Sequence, residues 1–114
     1  MVIKKSQAVL EVNSHVAKIF DYQLSSDDVG FSYQELHGRV PESGVGKNNQ
    51  CDEWYFVIDG SGEVSIDGKA EVIEKGDLVI IAKKSKSFLV ANNMKILTIT
   101  KPNWRDDQYE ELPV

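Results

Sequence analysis

Short apolar segments with polar residues at alternate positions recur along the chain, separated by Gly, Asn and Asp. A period of two is typical of β-strands, because successive side chains point to opposite faces of a sheet. Helical periodicity is weak throughout. The pattern predicts strands at residues 8–12, 17–22, 31–36, 53–58, 64–66, 70–73, 78–82, 87–90 and 95–100. Strands at this spacing favour an all-β sandwich or barrel.

The clearest local signal is a hairpin between residues 64 and 72. Asp67 and Gly68 lie between two alternating runs, and an Asp-Gly pair favours the positive φ angles of a two-residue turn. All eight glycines lie between Gly30 and Gly76. The middle of the chain is therefore expected to carry most of the sharp turns.

The last residues are expected to pack rather than to carry chemistry. Pro102 cannot donate to a sheet ladder, so it predicts the end of the last strand. Asn103 is then expected to cap a short helical turn. Trp104, Tyr109 and Leu112 are expected to cover a sheet edge.

Composition narrows the class of protein. A chain of 114 residues and 12.8 kDa is long enough for one domain with its own core, here residues 1–114. Thirteen basic against eighteen acidic residues give a net charge of −5, which argues against nucleic acid as a partner. The longest apolar runs have five residues, far fewer than a membrane-spanning helix needs. No secretory signal pattern is seen near the N-terminus, and a cytoplasmic location is expected.

Two segments resemble the sequence motifs of the cupin family. The first begins at Gly44 and contains Glu53, followed after six residues by Gly60. The second begins with Gly76 and Asp77 and continues into the apolar run 78–81. The resemblance covers about residues 38–100. It implies a single-domain cupin jelly roll, a β-barrel of two antiparallel sheets, followed by a tail at residues 102–114.

The departures from the motifs bear on the metal site that many cupins have. Lys47 and Asn49 stand where the family has its paired histidines, and Ser87 stands where it has the third. Of the usual four ligands only Glu53 remains. A protonated lysine repels a cation, and Asn and Ser are weak ligands. We therefore expect no metal and no other cofactor.

The candidate site follows from strand alternation. If Glu53 faces the barrel interior, as the resemblance implies, Tyr55 faces it too. Three residues at alternate positions, Glu35, His37 and Arg39, are expected to share one face with them. The candidate catalytic residues are His37, Glu53 and Tyr55; the candidate ligand-binding residues are Glu35, Arg39, Lys47, Asn49, Cys51 and Ser87.

These residues leave several functions open. The first is a metal-independent barrel that binds a small polar metabolite, anionic or sugar-like, since Arg39 and Lys47 suit a carboxylate or phosphate. The second is a metal-free sugar isomerase or epimerase, with His37 as base and Tyr33 or Tyr55 as acid. The third is a metal-dependent cupin enzyme with an atypical ligand set. The sequence does not decide whether there is turnover.

The outer face of the barrel predicts self-association. Trp54, Phe56 and Ile58 are large and apolar on the face opposite Glu53, and the run 78–81 is apolar on both faces. Contiguous apolar surface of this kind usually marks an interface. The expectation is a homodimer through Trp54, Phe56 and Ile58.

Overall fold

The computed structural model describes the whole chain except the side chains of residues 12–14. Its strands are β1 (Val9–Ser14), β2 (Ala17–Asp21), β3 (Gly30–Val40), β4 (Val45–Asn48), β5 (Asp52–Ile66), β6 (Lys69–Glu74), β7 (Leu78–Ile81), β8 (Lys86–Lys101) and β9 (Tyr109–Leu112). Two 3-10 helices, Lys5–Gln7 and Asp106–Gln108, complete the elements. In the part of the chain that the structure describes, no helix is long and apolar enough to span a membrane. The all-β prediction is confirmed.

Two long strands, β5 and β8, form the frame of the barrel. They pair antiparallel from Asp52–Lys101 to Ile66–Ser87. On its other side β8 pairs with β3, followed by β2 and β1, while β6 and β7 pair with the two halves of β5. The expected two antiparallel sheets are thereby joined into one nine-stranded sheet that curls on itself.

Each long strand was predicted as two shorter ones, because its middle contains residues typical of turns. The register of the β5–β8 ladder shifts between Val57 and Ser61, which is a bulge rather than a turn. Gly60 has φ +82 there, and any side chain would collide with the carbonyl of Asn93, itself at φ +47 on β8. Gly60 and Asn93, both in the left-handed region of φ, lie opposite each other, so β5 and β8 bend at this point and continue as strands.

The core lies on the inner face of the curled sheet. Its members alternate along the strands, and the most deeply buried are Val57 and Met94. Around them lie Leu36, Tyr55, Val64, Ile73, Val79, Ile81, Leu89, Ala91 and Ile96. This core fills the half of the barrel near β6, and the polar inner residues gather at the other half.

The tail differs from the prediction. Only Asp106–Gln108 forms a helical turn, and the residues that follow it form β9, which pairs with β4. Asn103 does not cap that turn; its amide donates to the carbonyl of Ser26. The strand forms because Tyr109 and Glu111 alternate with Glu110 and Leu112, and β4 offers an open edge.

A buried glutamine fixes the tail to the barrel. Gln108 is 4% exposed, its amide nitrogen donates to Asn48 Oδ1 at 2.9 Å, and its amide oxygen accepts from the backbone N–H of Gln50 at 3.1 Å. The Cys51 thiol lies 3.6 Å from the same oxygen. One side chain thus connects the tail to the β4–β5 turn.

Gln108→Leu is expected to destabilise the protein. The change leaves buried partners without hydrogen bonds, at a cost of about 2–3 kcal/mol, or roughly 10 °C in Tm. Thermal unfolding followed by circular dichroism measures this. The matched control is Asn92→Leu at an exposed position of β8; equal melting temperatures for the two variants would contradict the role given to Gln108.

Candidate functional site

Two adjoining cavities occupy the polar half of the barrel. The smaller has a volume of about 150 Å³ and the larger about 620 Å³. They share a wall made of Gln34, Val40, Pro41, Glu53, Trp104 and Tyr109. The space is therefore lined by the strands of the barrel on one side and by the tail on the other.

Glu53 lies at the junction of the two cavities. It pairs with Thr100 on β8 and with Ile81 on β7, so its side chain faces inward between a hydroxyl and an apolar wall. Among the described residues none donates a hydrogen bond to its carboxyl group and none forms an ion pair with it. Desolvation by burial raises its pKa from 4.5 to about 7. The group can therefore hold or release a proton near neutral pH.

Two buried hydroxyl groups near Glu53 also lack partners. Tyr55 follows it on the same face of β5, and its hydroxyl has no hydrogen bond to any described residue. The same holds for the hydroxyl of Thr100. Burial, and then the charge of Glu53, raises the pKa of Tyr55. Buried polar atoms usually have hydrogen-bond partners, so two unpartnered hydroxyls beside Glu53 make this wall the candidate site for contacts with a ligand.

The tail closes the smaller cavity. Gly46 lies on β4, and a Cβ atom there would stand 2.7 Å from the hydroxyl of Tyr109, so the phenol fills the space that a side chain at 46 would need. The next inward position on β4 is Asn48, whose Oδ1 accepts from Trp104 Nε1 at 3.0 Å and from Gln108. Burial, a hydrogen bond to Glu111 and nearby carboxylates raise the pKa of Tyr109.

This geometry corrects the alignment of the first motif. Gly46 and Asn48 line the cavity with Glu53, whereas Lys47 and Asn49 do not. In the family motif three or four residues stand between the second histidine and the glutamate, and the four residues between Asn48 and Glu53 match the longer spacing. Ser87 pairs with Gly46 and lines the smaller cavity, as the resemblance implies for the third position.

These side chains do not fit a transition metal. The four motif positions present no side chain at Gly46, an amide already bonded twice at Asn48, a hydroxyl at Ser87 and one carboxyl at Glu53. Among the described residues, no three His, Cys, Asp or Glu side chains come together in a metal-binding arrangement. Hard and soft metal sites alike need several charged or imidazole donors, so no step of a mechanism is assigned to a metal here.

The expected shared face of Glu35, His37 and Arg39 with Glu53 is wrong. On β3 the inward positions are even-numbered up to the buried Leu36, and a bulge follows between Leu36 and Gly38. Glu35 therefore faces outward and accepts a hydrogen bond from Tyr33, whose pKa is raised to about 12 by burial and by that bond. His37 is exposed and accepts from the backbone N–H of Asn93.

The two basic residues expected at the site lie elsewhere. The Arg39 guanidinium stacks on the ring of Phe88 at 4.0 Å and donates to the carbonyl of Pro41. Lys47 points to the outer side of β4 and lies 3.6 Å from Glu110. Neither lines a cavity with Glu53.

Asn49 and Cys51 hold the β4–β5 turn. The Asn49 amide donates to the backbone carbonyl of Gln108. Cys51 is buried, and burial together with the charges of Glu53 and Asp52 raises its thiol pKa to about 11. A thiol with this pKa stays protonated at neutral pH and is a poor nucleophile.

Several wall residues were not predicted from the sequence. Gln34 lies between Ser32 and Thr98 and donates to both hydroxyls. Trp104 and Tyr109 come from the tail, which was interpreted as packing only. The one available signal was alternation of Ser32, Gln34 and Leu36 on β3, opposite Thr98 and Thr100 on β8.

Comparisons with known proteins agree with the cupin resemblance. Residues 43–106 match the family model described as Ethanolamine utilisation protein EutQ. No curated protein matches the chain. Among solved structures, a tyrosine-to-phenylalanine variant of Streptomyces PAC13 with uridine superposes with a TM-score of 0.88 at 12% identity, covering 99% of this chain and 90% of that one. Pac13 is described as a unique nucleoside dehydratase.

Two further structures share the fold. Ectoine synthase from P. lautus has a TM-score of 0.75 at 15% identity, covering 100% of this chain and 92% of that one. An RmlC-like cupin from Shewanella frigidimarina has a TM-score of 0.71 at 17% identity, covering 90% of this chain and 89% of that one. The chain therefore has the cupin fold, and likeness at this level of identity extends to the fold alone.

Burial of Glu53 predicts a pH-dependent stability. The folded pKa of about 7 lies above the ordinary 4.5, so the folded state holds the proton more tightly and stability falls as pH rises between these values. Glu53→Gln removes this loss. Relative to the natural protein, the free energy of unfolding of the variant is expected to rise by about 3 kcal/mol between pH 4.5 and pH 7. Above pH 7 the difference should stay constant.

Denaturant unfolding at half-unit pH intervals measures the difference. Glu63→Gln serves as the control, because Glu63 lies on the same strand but is exposed. A difference that stays constant from pH 4.5 to pH 8 would show that Glu53 is not held protonated by burial.

Proposed function

The chain belongs to the EutQ family of cupins, and we propose that its barrel binds a small polar molecule against Glu53 without a metal ion. The carrying observation is the set of three unpartnered groups on one wall: the carboxyl of Glu53 and the hydroxyls of Tyr55 and Thr100. Leaving a hydroxyl such as that of Tyr55 or Thr100 buried and unsatisfied costs about 1–3 kcal/mol. A ligand that bonds to all three recovers part of that cost.

The chemistry of the wall supports a ligand with several hydroxyl or amine groups. Besides the three unpartnered groups, the wall offers the Gln34 amide and the Ser32 hydroxyl. The larger cavity has room for a molecule the size of a sugar or a nucleoside. Pac13, a nucleoside dehydratase with this fold, supports a ligand of that size. The anionic ligand expected from Arg39 and Lys47 has no support, because both lie outside the cavities.

A second candidate function is metal-free acid–base catalysis. A general base works best with a pKa near the pH of the reaction, and Glu53 has a pKa of about 7. In this proposal the Glu53 carboxylate accepts a proton from the bound molecule, and the Tyr55 hydroxyl hydrogen-bonds to the oxygen on which negative charge develops. His37, the base expected from the sequence, is exposed outside the barrel.

Removing the unpartnered hydroxyls tests the binding proposal. Tyr55→Phe and Thr100→Val delete groups that no described residue bonds, so the melting temperature should stay equal or rise. Ligand affinity should fall about fivefold to tenfold for each. A panel of nucleosides, free sugars and amino alcohols, screened by saturation-transfer NMR, supplies the ligands.

Arg39→Ala is the control for the same panel, since Arg39 lies outside both cavities. It should leave the affinities of all bound compounds unchanged. If Arg39→Ala weakens binding while Tyr55→Phe and Thr100→Val do not, or if no compound binds, the barrel interior is not the binding site.

We also propose that two copies pair through the outer face that carries Trp54 and Phe56. The register places Trp54 between Ile80 and Ile99, and Phe56 beside Leu78, so their side chains share one surface. Phe56, Leu78, Ile80 and Ile99 are each at least 40% exposed. An apolar face of this kind can pack against the same face of a second copy related by twofold symmetry.

Phe56→Glu is expected to split the dimer, because the interface would bury an unpaired carboxylate. Light scattering at micromolar concentration should give twice 12.8 kDa for the natural protein and 12.8 kDa for the variant. Val72→Glu is the control, because Val72 is an exposed apolar residue of β6 that pairs with Glu63, far along β5 from Phe56. A monomeric natural protein, or a dimer that survives Phe56→Glu, would place no interface here.

A further inference from the structure

The charged side chains that line the larger cavity are all acidic. Six acidic residues line it, at the wall and around the mouth: Glu11, Asp21, Glu42, Glu53, Asp106 and Glu111. Among the described residues that line it there is no Lys, Arg or His. A cleft lined by one sign of charge, with apolar walls, concentrates the opposite charge inside it.

Few of these carboxyl groups are neutralised by the protein itself. The ion pairs of the described residues involve Glu42 with His15 at 3.5 Å, and no other member of the set. Glu111 accepts a hydrogen bond from Tyr109 at 3.0 Å, which leaves its charge in place. Their negative potential therefore acts on whatever enters the cavity.

The carboxylate of Asp21 lies on the wall of the larger cavity, beside its polar side chains. Four inward residues lie side by side across the strands β2, β3, β8 and β5. In that order they are Asp21, Ser32, Thr98 and Tyr55. A continuous row of polar side chains thus runs from a half-buried carboxylate to an unpartnered phenol. The adjoining row places Thr100, 5% exposed and unpartnered, beside Glu53.

The tail adds aromatic surface to the same space. Trp104 and Tyr109 lie with ring centroids 5.8 Å apart, and both line the two cavities. Aromatic faces attract organic cations, most strongly where water is partly excluded. The larger cavity therefore combines carboxylates, the unpartnered hydroxyl of Thr100 and two aromatic side chains, which together suit an ammonium group on a hydroxylated molecule.

We infer that the ligand of the larger cavity is an organic cation: an amine-bearing polyol such as an amino alcohol or amino sugar. Its ammonium group lies among the acidic side chains, one hydroxyl meets Thr100 on the wall of this cavity, and another reaches Tyr55 through the adjoining smaller cavity. This inference rests on the proposed binding function. It replaces an anion as the ligand, because the basic residues Arg39 and Lys47 lie elsewhere and an anion entering this cavity would meet only like charge.

Two matched series of compounds test the charge of the ligand. Glucosamine, glucose and glucuronate share one ring, and 2-aminoethanol, ethylene glycol and glycolate share one small skeleton, while each series runs from cation to neutral to anion. The reporter is the indole N–H of Trp104, which lines both cavities. The chain has two tryptophans, so titrations by nitrogen–proton NMR need only two indole signals to be assigned.

The cation of at least one series should shift the Trp104 signal in a saturable way, with about tenfold higher affinity than its neutral analogue and with the anion weaker still. Asp21→Asn should lower the affinity for the cation about fivefold and leave that for the neutral analogue unchanged. Glu71→Gln makes the same change of net charge on exposed β6 and should have no effect.

Other outcomes overturn the inference. A neutral compound or an anion that binds as tightly as its cation, or equal effects of Asp21→Asn and Glu71→Gln, would show that the acidic lining does not select the ligand. If glucose or glucuronate binds and loses affinity in Tyr55→Phe, the binding function stands while the cationic ligand is wrong. If no cation binds, the inference is wrong whatever the wider panel shows.

Discussion

The antiparallel pairing of β5 with β8 is the interaction on which the cavity depends. It places Glu53 beside Thr100 and Tyr55 beside Thr98, all on the inner face. Because side chains alternate with a period of two, a slip of one residue would turn every one of them to the outside. The opposed bulges at Gly60 and Asn93 let both strands bend around the barrel while this register is kept on either side.

A desolvated carboxylate without a partner in the protein is unfavourable. It can be stabilised by a cation beside it or neutralised by a proton, and the residues around Glu53 determine which of the two applies. In cupins that retain the histidines, a metal ion would supply the opposite charge beside the glutamate. Here the Tyr109 phenol fills the space above Gly46, and the tail bonds to the side chain of Asn48. With no opposite charge beside it among the described residues, the desolvated carboxylate form of Glu53 is less stable than the protonated form. The pKa of Glu53 therefore rises to about 7.

Sequence patterns predicted the strands that have strong alternation, and the inward direction of Glu53 and Tyr55 followed from the cupin resemblance. They could not predict β4 or β9, because the sequences Val-Gly-Lys-Asn and Tyr-Glu-Glu-Leu lack the β-branched apolar run that made the equally short β7 recognisable. They also misplaced Arg39 with respect to Glu53. The alternation of polar residues on β3 does not itself show which face is buried, and the buried Leu36 decides this only once the core is assembled.

The tail shows how one fold acquires different chemistry. The barrel backbone fixes a small number of inward positions, and the fold by itself does not say what they do. In this chain the side chains opposite Glu53 come from Trp104 and Tyr109, outside the two motifs that carry the resemblance. Because β9 is itself the edge strand and pairs only with β4, its residues lie outside the hydrophobic core. Substitutions in this short strand can therefore change the charge and shape of the cavity, as Glu111 does at its mouth, without disturbing the β5–β8 ladder that holds Glu53.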